Sequence, residues 1–329
     1  MKSKIWNIIG LFYTRIINRM RCGDNRCIRN WETIMPDVPY DEYNKITNPL
    51  LPTIKAHTFW HGEIEEKQIF CLKSFLATQN MSQFELILWL DGDESYEKAI
   101  NNSQLKSLIR QSTNKLSIKK WDVSTEIAGT IFEKSKWYFK WDRVLPFVAD
   151  DFRIICLYKY GGLYFDLDVM FVKDFTPLLM RGEFVYAWEN QPFANNAVMY
   201  FRRNSYLINV LAKEMIKKKS SQPWVFLRYS NKALSSLMVY PCAMFDPLWL
   251  GYEDGMPISW FSDFFRKFDS LFPKDIRISS YKDFFPDVYA YHWHNHWNVK
   301  TSNDSYFGMF NKEFSVMLDN DSLCNHPNI

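Results

Sequence analysis

Two apolar runs, Ile54–Trp60 and Phe84–Asp91, lie on either side of Ile69–Thr78, a stretch that suits a helix. A strand–helix–strand alternation of this kind restricts the chain to a parallel sheet and a nucleotide-binding type of α/β fold. The pattern continues. A helix is expected from Pro146 to Lys159, with Pro146 at a first-turn position and Gly161-Gly162 as the stop. A strand is expected over Leu163–Val172, then strands at Phe184–Trp188 and Ala197–Phe201 and a helix at Ser205–Lys218. Trp260, Phe261, Phe264, Phe265, Phe268 and Phe272 recur at helical spacing, which predicts a core-packed helix. Residues 30–52 carry Pro36, Pro39, Pro49 and Pro52 and read as a connector. The expected organisation is an N-terminal segment and connector over 1–50, one α/β domain over 51–300 and a tail over 301–329.

A chain of 329 residues with 47% apolar side chains can bury a core of that size. Aromatics reach 18%, which suits sugar-stacking clefts and dense core packing alike. The net charge of +3 is unevenly spread. Residues 1–29 hold seven basic groups against Asp24 alone, a net +6, so the remainder is −3. A basic terminus on a mildly acidic body argues against nucleic-acid binding, which needs a basic stripe on the folded domain. It points to contact with an anionic surface such as a bilayer. Read as a helix, Ile5, Ile8, Ile9, Phe12 and Ile16 share one face, an interfacial pattern. No run reaches the ~18 apolar residues of a membrane span, and no small-residue cleavage site follows the apolar start. Six cysteines lack disulfide-framework spacing, which fits a reducing compartment. Together these features predict a cytoplasmic protein, peripheral on the inner face of the membrane.

The segment that carries chemistry is Tyr160-Gly161-Gly162-Leu163-Tyr164-Phe165-Asp166-Leu167-Asp168-Val169. In a strand, Asp166 and Asp168 project to one face. Two neighbouring carboxylates in an apolar strand repel and lose hydration, so keeping both ionised needs a cation. Hard oxygen ligands suit Mn²⁺ or Mg²⁺, and such an ion also neutralises a diphosphate leaving group.

The run from Asp150-Asp151-Phe152-Arg153 through Asp166-Leu167-Asp168-Val169 resembles the signature of glycosyltransferases with a DxD sugar-binding region. That family includes capsular-polysaccharide transferases, fungal initiating mannosyltransferases and α-1,4-galactosyltransferases. The resemblance implies a GT-A type, Rossmann-like fold with a mixed, mostly parallel sheet, a nucleotide-sugar donor, a divalent metal and retention of anomeric configuration. His57-Thr58-Phe59-Trp60-His61-Gly62 is similar to the family's first strand and its loop, which implies that Phe59 or Trp60 stacks on the nucleobase. Ala194-Asn195-Asn196-Ala197 through Phe201 is similar to a sugar-contacting stretch in which Asn195 falls on the contacting Asn and Asn196 replaces a Gly. Ala290-Tyr291-His292-Trp293-His294-Asn295 is similar to a C-terminal ligand loop, with His294 where Trp is usual.

Asp150 and Arg153 share a helix face, either gripping donor ribose and phosphate or forming a plain intrahelical pair. His292, His294 and His296 alternate, so an extended segment puts them on one side, with His292 first and His294 second as metal ligands. Trp297 lies in the same loop, which is expected to close over the donor as a lid. Tyr164 joins the donor site; Glu189 and Asp246 are candidate acceptor or sugar contacts. The expected activity is transfer of a hexose or N-acetylhexosamine from a UDP-sugar to a glycan or glycolipid acceptor in surface polysaccharide synthesis. The alternatives are a phosphohydrolase built on the three histidines and a non-catalytic sugar-binding protein.

Overall fold

The computed structural model describes residues 53–135, 139, 145–189, 191–250, 256–285 and 288–324. The basic segment and connector expected over 1–50 lie outside these residues.

The longer helices are α1 (Glu66–Thr78), α2 (Gly92–Asn101), α3 (Ser103–Gln111), α4 (Leu145–Tyr160), α5 (Tyr206–Lys218) and α6 (Tyr306–Cys324). The strands are β1 (Ile54–Trp60), β2 (Phe84–Asp91), β3 (Leu116–Trp121), β4 (Gly162–Phe165), β5 (Val169–Phe171), β6 (Phe184–Ala187), β7 (Ala194–Phe201), β8 (Met238–Tyr240) and β9 (Ala290–His292). Seven strands form one sheet in the order β3-β2-β1-β4-β7-β6-β8, while β5 and β9 form a separate pair. Strands β1 to β4 run parallel; β7 is antiparallel to β4 and β6, and β6 and β8 are parallel. The mixed, mostly parallel sheet of the expected α/β class is present.

Alternation along β4 places α1 and α4 on opposite faces of this sheet. Tyr164 meets Phe152 of α4 at 5.9 Å between ring centroids, whereas its neighbour Phe165 stacks on Phe75 of α1 at 5.1 Å. Phe59 of β1 also stacks on Phe152, at 4.7 Å. The aromatic excess is thus largely core.

Three expectations change. The single strand over 163–172 is two strands: β4 stops at Phe165, Asp166-Leu167-Asp168 turn out of the sheet, and β5 pairs with β9 instead. Leaving the sheet brings Asp168 to backbone donors of the 293–295 segment that no sheet neighbour offers. The aromatic stripe at 260–272 forms only a 3₁₀ turn, Phe261–Phe264, and then irregular chain. Phe264 and Phe265 are buried, but Trp260 is 72% and Leu271 87% exposed. Finally, α6 lies in the stretch expected as a tail, and its Phe307, Phe310 and Phe314 sit in the same core as α1. No helix among the described residues is long and apolar enough to cross a membrane.

The Gly161-Gly162 pair does more than stop α4. Both have left-handed backbone, with φ of 66° and 106°. A Cβ at Gly162 would collide with the Lys55 carbonyl oxygen of β1, and one at Gly161 with the Arg203 backbone. Bare backbone is needed for β4 to lie against β1.

Candidate active site

In the order β3-β2-β1-β4, the chain winds one way from β1 to β3 and the other way into β4. Open α/β sheets bind ligands at such a switch, outside the carboxyl ends of the two central strands. Here those ends are Trp60 and Phe165, and Asp166 follows directly.

Asp166 is met from α4. The Arg153 guanidinium reaches Asp166 at 3.2 Å and Asp150 at 3.4 Å, donates to the Asn196 carbonyl at 2.7 Å and lies 4.9 Å over the Tyr164 ring. The Tyr164 hydroxyl donates to the same Asp166 oxygen, and the Asn196 amide donates to Asp150 at 2.8 Å. Arg153 is 5% exposed. It is therefore a bridge from helix to aspartate pair, not a plain intrahelical pair.

Asp168 is met from the other side. His292 Nε2 lies 3.2 Å from one carboxylate oxygen, and the Asn295 amide donates to the other at 2.8 Å. The Trp293 amide donates to the Asp168 carbonyl at 3.0 Å. These contacts depend on a turn in which His294 and Asn295 both adopt left-handed backbone, φ 50° and 58°. Such conformations are uncommon for residues with a Cβ and concentrate at functional sites.

Behind His292 stands Asp246, fully buried. Its carboxylate accepts from His294 Nε2 at 2.7 Å and from the Tyr186 hydroxyl at 3.1 Å, and lies 3.4 Å from His292 Nδ1. Asp246 is sealed from any sugar, so the expectation of an acceptor or donor-sugar contact there is corrected: its place is beneath the site.

The electrostatics separate the two aspartates. Burial, with Asp168 alongside, pushes the Asp166 carboxyl up to about 6 against the pull of Arg153. Burial acts on Asp168 too, but His292 outweighs it and holds that carboxyl down at about 2. Burial opposes charge on His292, yet Asp168 and Asp246 keep its imidazolium well above the usual histidine range. For His294 burial wins over Asp246, and the pKa falls. Among the described residues, the basic side chains paired with Asp166, Asp168 and Asp246 are Arg153, His292 and His294, and Arg153 is shared with Asp150. Three carboxylates crowd this pocket, and the half-buried Asp166 carboxyl is raised mainly by loss of hydration. Asp166, Asp168 and His292 offer ligand atoms within 4.8 Å of one another. An oxygen-rich set with one imidazole fits a divalent cation.

The remaining expected residues divide. Phe59 is core, stacked on Phe152 and edge-on to Trp121, so it has no face for a nucleobase. Trp60 is half-buried and meets Trp297 at 4.7 Å, so these two indoles, from β1 and the 293–297 segment, stand together at the mouth. Asn195 is buried, its carbonyl turned back to accept from the Ala197 amide at 2.7 Å. Glu189, with φ of 45°, accepts from Trp249 Nε1 at 3.1 Å. His296 leaves the cluster: β9 ends at His292, the left-handed turn breaks the alternation, and His296 Nδ1 donates to the Trp293 and His294 carbonyls. The expected lid is clamped. Lys67 of α1 donates to the carbonyls of His296, Trp297 and Val299 at 2.5, 3.1 and 2.6 Å.

Sequence reasoning missed Tyr186, Lys67 and the role of Asn196. An inward tyrosine in an apolar strand, a lysine in a helix and an Asn beside the favoured one carry no signal until the fold assembles them. A separate cavity of about 560 Å³ opens near Arg181, Arg202, Arg203 and Tyr206, at the opposite end of the sheet, and contains none of the expected site residues.

The family described as a glycosyltransferase sugar-binding region containing a DXD motif matches residues 24–185, a stretch that includes Arg153, Asp166 and Asp168. No curated protein matches the sequence. Among solved structures, the chain is similar to the apo-form glycosyltransferase GlyE of Streptococcus pneumoniae TIGR4, with 14% identity over 82% of this chain and 63% of that one and a TM-score of 0.44. It is also similar to the bifunctional glycosyltransferase WbbM, with 11% identity, 83% and 51% coverage and a TM-score of 0.48. A third likeness is to the galactosyltransferase LgtC in complex with donor and acceptor sugar analogs, with 12% identity, 80% and 95% coverage and a TM-score of 0.34. The chain spans less than two thirds of GlyE and about half of WbbM. None of the three likenesses reaches a TM-score of 0.5, so the family match and the carboxylate geometry carry the weight. Residues 24–185 match a glycosyltransferase sugar-binding region containing a DXD motif, and the mixed α/β sheet that carries them is of the class such a transferase uses.

Proposed function

We propose that the chain is a retaining, divalent-metal-dependent transferase that moves a hexose or N-acetylhexosamine from a UDP-sugar to a glycan or lipid-linked glycan in surface polysaccharide synthesis. The observation that carries the reading is the convergence of Asp166, Asp168 and His292, within 4.8 Å, beside a buried Arg153 at the switch between β1 and β4.

Asp166, Asp168 and His292 would hold Mn²⁺ or Mg²⁺, which supplies positive charge to a diphosphate as it departs. The chain's own residues set the stage. Arg153 fixes Asp166, the Asn295 amide fixes Asp168, and the Trp60–Trp297 pair forms a wall against which a uracil can stack. Asp246 is too deeply buried to attack an anomeric carbon. That favours displacement on the same face of the sugar without a protein nucleophile, as retention without a covalent intermediate requires. A phosphohydrolase built on three histidines loses support because His296 faces backbone carbonyls. Residues 1–29 would contact an anionic membrane surface, placing the enzyme at the cytoplasmic face.

The test is hydrolysis of UDP-sugars without acceptor, with and without Mn²⁺. Activity is expected only with the metal, and Asp168→Ala should lower it on the order of 10²-fold or more. Normal metal-dependent turnover in that variant would overturn the proposal.

A further inference from the structure

Three groups behind His292 point the same way. His294 Nε2 faces Asp246 at 2.7 Å, and a carboxylate only accepts, so His294 donates there. The Tyr186 hydroxyl donates to the other Asp246 oxygen at 3.1 Å. His292 Nδ1 lies 3.1 Å from the Tyr186 oxygen and 3.4 Å from Asp246. Since the Tyr186 proton is spent on Asp246, both neighbours of Nδ1 can only accept from it. The Nδ1 of His292 must therefore carry hydrogen, so Nε2, which donates to Asp168 at 3.2 Å here, is the nitrogen that would give up its proton to ligate a cation. Asp246 and Tyr186 are buried, at 0% exposure each. His294 and Asp246 meet directly at 2.7 Å, a contact that spends the His294 Nε2 proton on the carboxylate.

We propose that Tyr186, Asp246 and His294 form a positioning relay that fixes the tautomer and ring orientation of His292, and that His294 belongs to this relay and is not itself a metal ligand. The carboxylate ends the chain of donors, and with the Tyr186 proton on Asp246 every contact in it is satisfied. Partners of this type behind a ligating histidine typically change metal affinity 10–100-fold. The inference rests on His292 being a ligand of the cation.

The test uses the full chain with Mn²⁺ alone, no nucleotide or sugar. Affinity and stoichiometry are read by calorimetry, and directly bound imidazole nitrogen by pulsed electron paramagnetic resonance. The wild type is expected to bind one ion per chain with one nitrogen coupling. Asp246→Asn and Tyr186→Phe should bind about 10- to 100-fold more weakly, with the coupling lost or broadened. His294→Gln, which still donates to Asp246, should keep both the ion and the coupling. Should Asp246→Asn fail to fold, Tyr186→Phe decides, because it removes one oxygen and keeps the packing. Unchanged affinity and coupling in Tyr186→Phe would overturn the relay. Two ions per chain, or loss of a second nitrogen coupling in His294→Gln, would make His294 a ligand and overturn it as well. If the wild type itself bound no Mn²⁺, the metal-dependent reading would fail first, and that outcome is distinct from equal binding by wild type and variants.

Discussion

Arg153 shows how one side chain can answer for several. It is almost wholly buried, and it touches two carboxylates and a backbone carbonyl at once. Removing one partner from such a buried set leaves charge uncompensated and costs about 3–5 kcal/mol. Arg153→Ala should therefore lower unfolding stability by that amount in urea titration, and Arg153→Lys should recover little, since an ammonium cannot span Asp150, Asp166 and Asn196 together. No loss of stability in the alanine variant would mean the bridge is idle. His57 is a second case. Burial, against the help of its Gly161 partner, drops its pKa to about 3, and it accepts from Trp89 Nε1 at 3.2 Å while bonding to the Gly161 carbonyl at 3.0 Å. Its folded pKa lies below the unfolded value of 6.5, so the unfolded chain binds the extra proton between the two. The stability due to this histidine is complete above pH 6.5 and falls by about 1.4 kcal/mol per pH unit below it, down to about pH 3. Wild type should thus lose stability faster than His57→Gln from pH 6.5 to 4.5; parallel slopes would refute the assignment. At this scale the residues of the DxD core were legible because carboxylates in an apolar run need a reason. Asp246 sits between Cys242-Ala243-Met244-Phe245 and Pro247-Leu248-Trp249-Leu250, and burial in such irregular apolar chain has no periodic signature.

At the scale of elements, β1, β2, α4 and β7 follow the apolar pattern closely because each is framed by breakers or by a long uniform run. What escaped was the break after β4. A strand and a strand-turn-strand with two aspartates look alike until β9, more than a hundred residues later, supplies the partner for β5. The helical period at 260–272 failed for a related reason: tertiary contacts to Trp293 and Phe307 take Phe264 and Phe265 without a regular helix. The Gly161-Gly162 junction tests how tightly β4 must lie against its neighbour. Gly162→Ala combines a left-handed backbone with a collision against the Lys55 carbonyl, so a destabilisation on the order of 3 kcal/mol is expected. The readout is the denaturant midpoint, and an unchanged midpoint would show that β1 and β4 can separate freely.

For the whole molecule, the strand order makes the site. The winding order switches between the parallel neighbours β1 and β4, and residues from positions 60 to 297 gather over that switch. The basic segment at 1–29 would tether this assembly to anionic lipid. Each Lys or Arg near such a surface is worth about 1 kcal/mol, and salt screens it. The full chain should therefore sediment with vesicles containing phosphatidylserine and release at high ionic strength, while a chain lacking residues 1–29 stays in the supernatant. Equal sedimentation of both would remove the tether.

The Trp60–Trp297 contact has an optical consequence. Two indoles whose centroids lie 4.7 Å apart exchange excitation, and each hangs on a different part of the fold. A flat aromatic ligand sliding against them, or a shift of the clamped segment away from β1, would alter their shared emission and their circular dichroism. The enzyme thus carries its own gauge of whether its doorway is occupied, with no label attached.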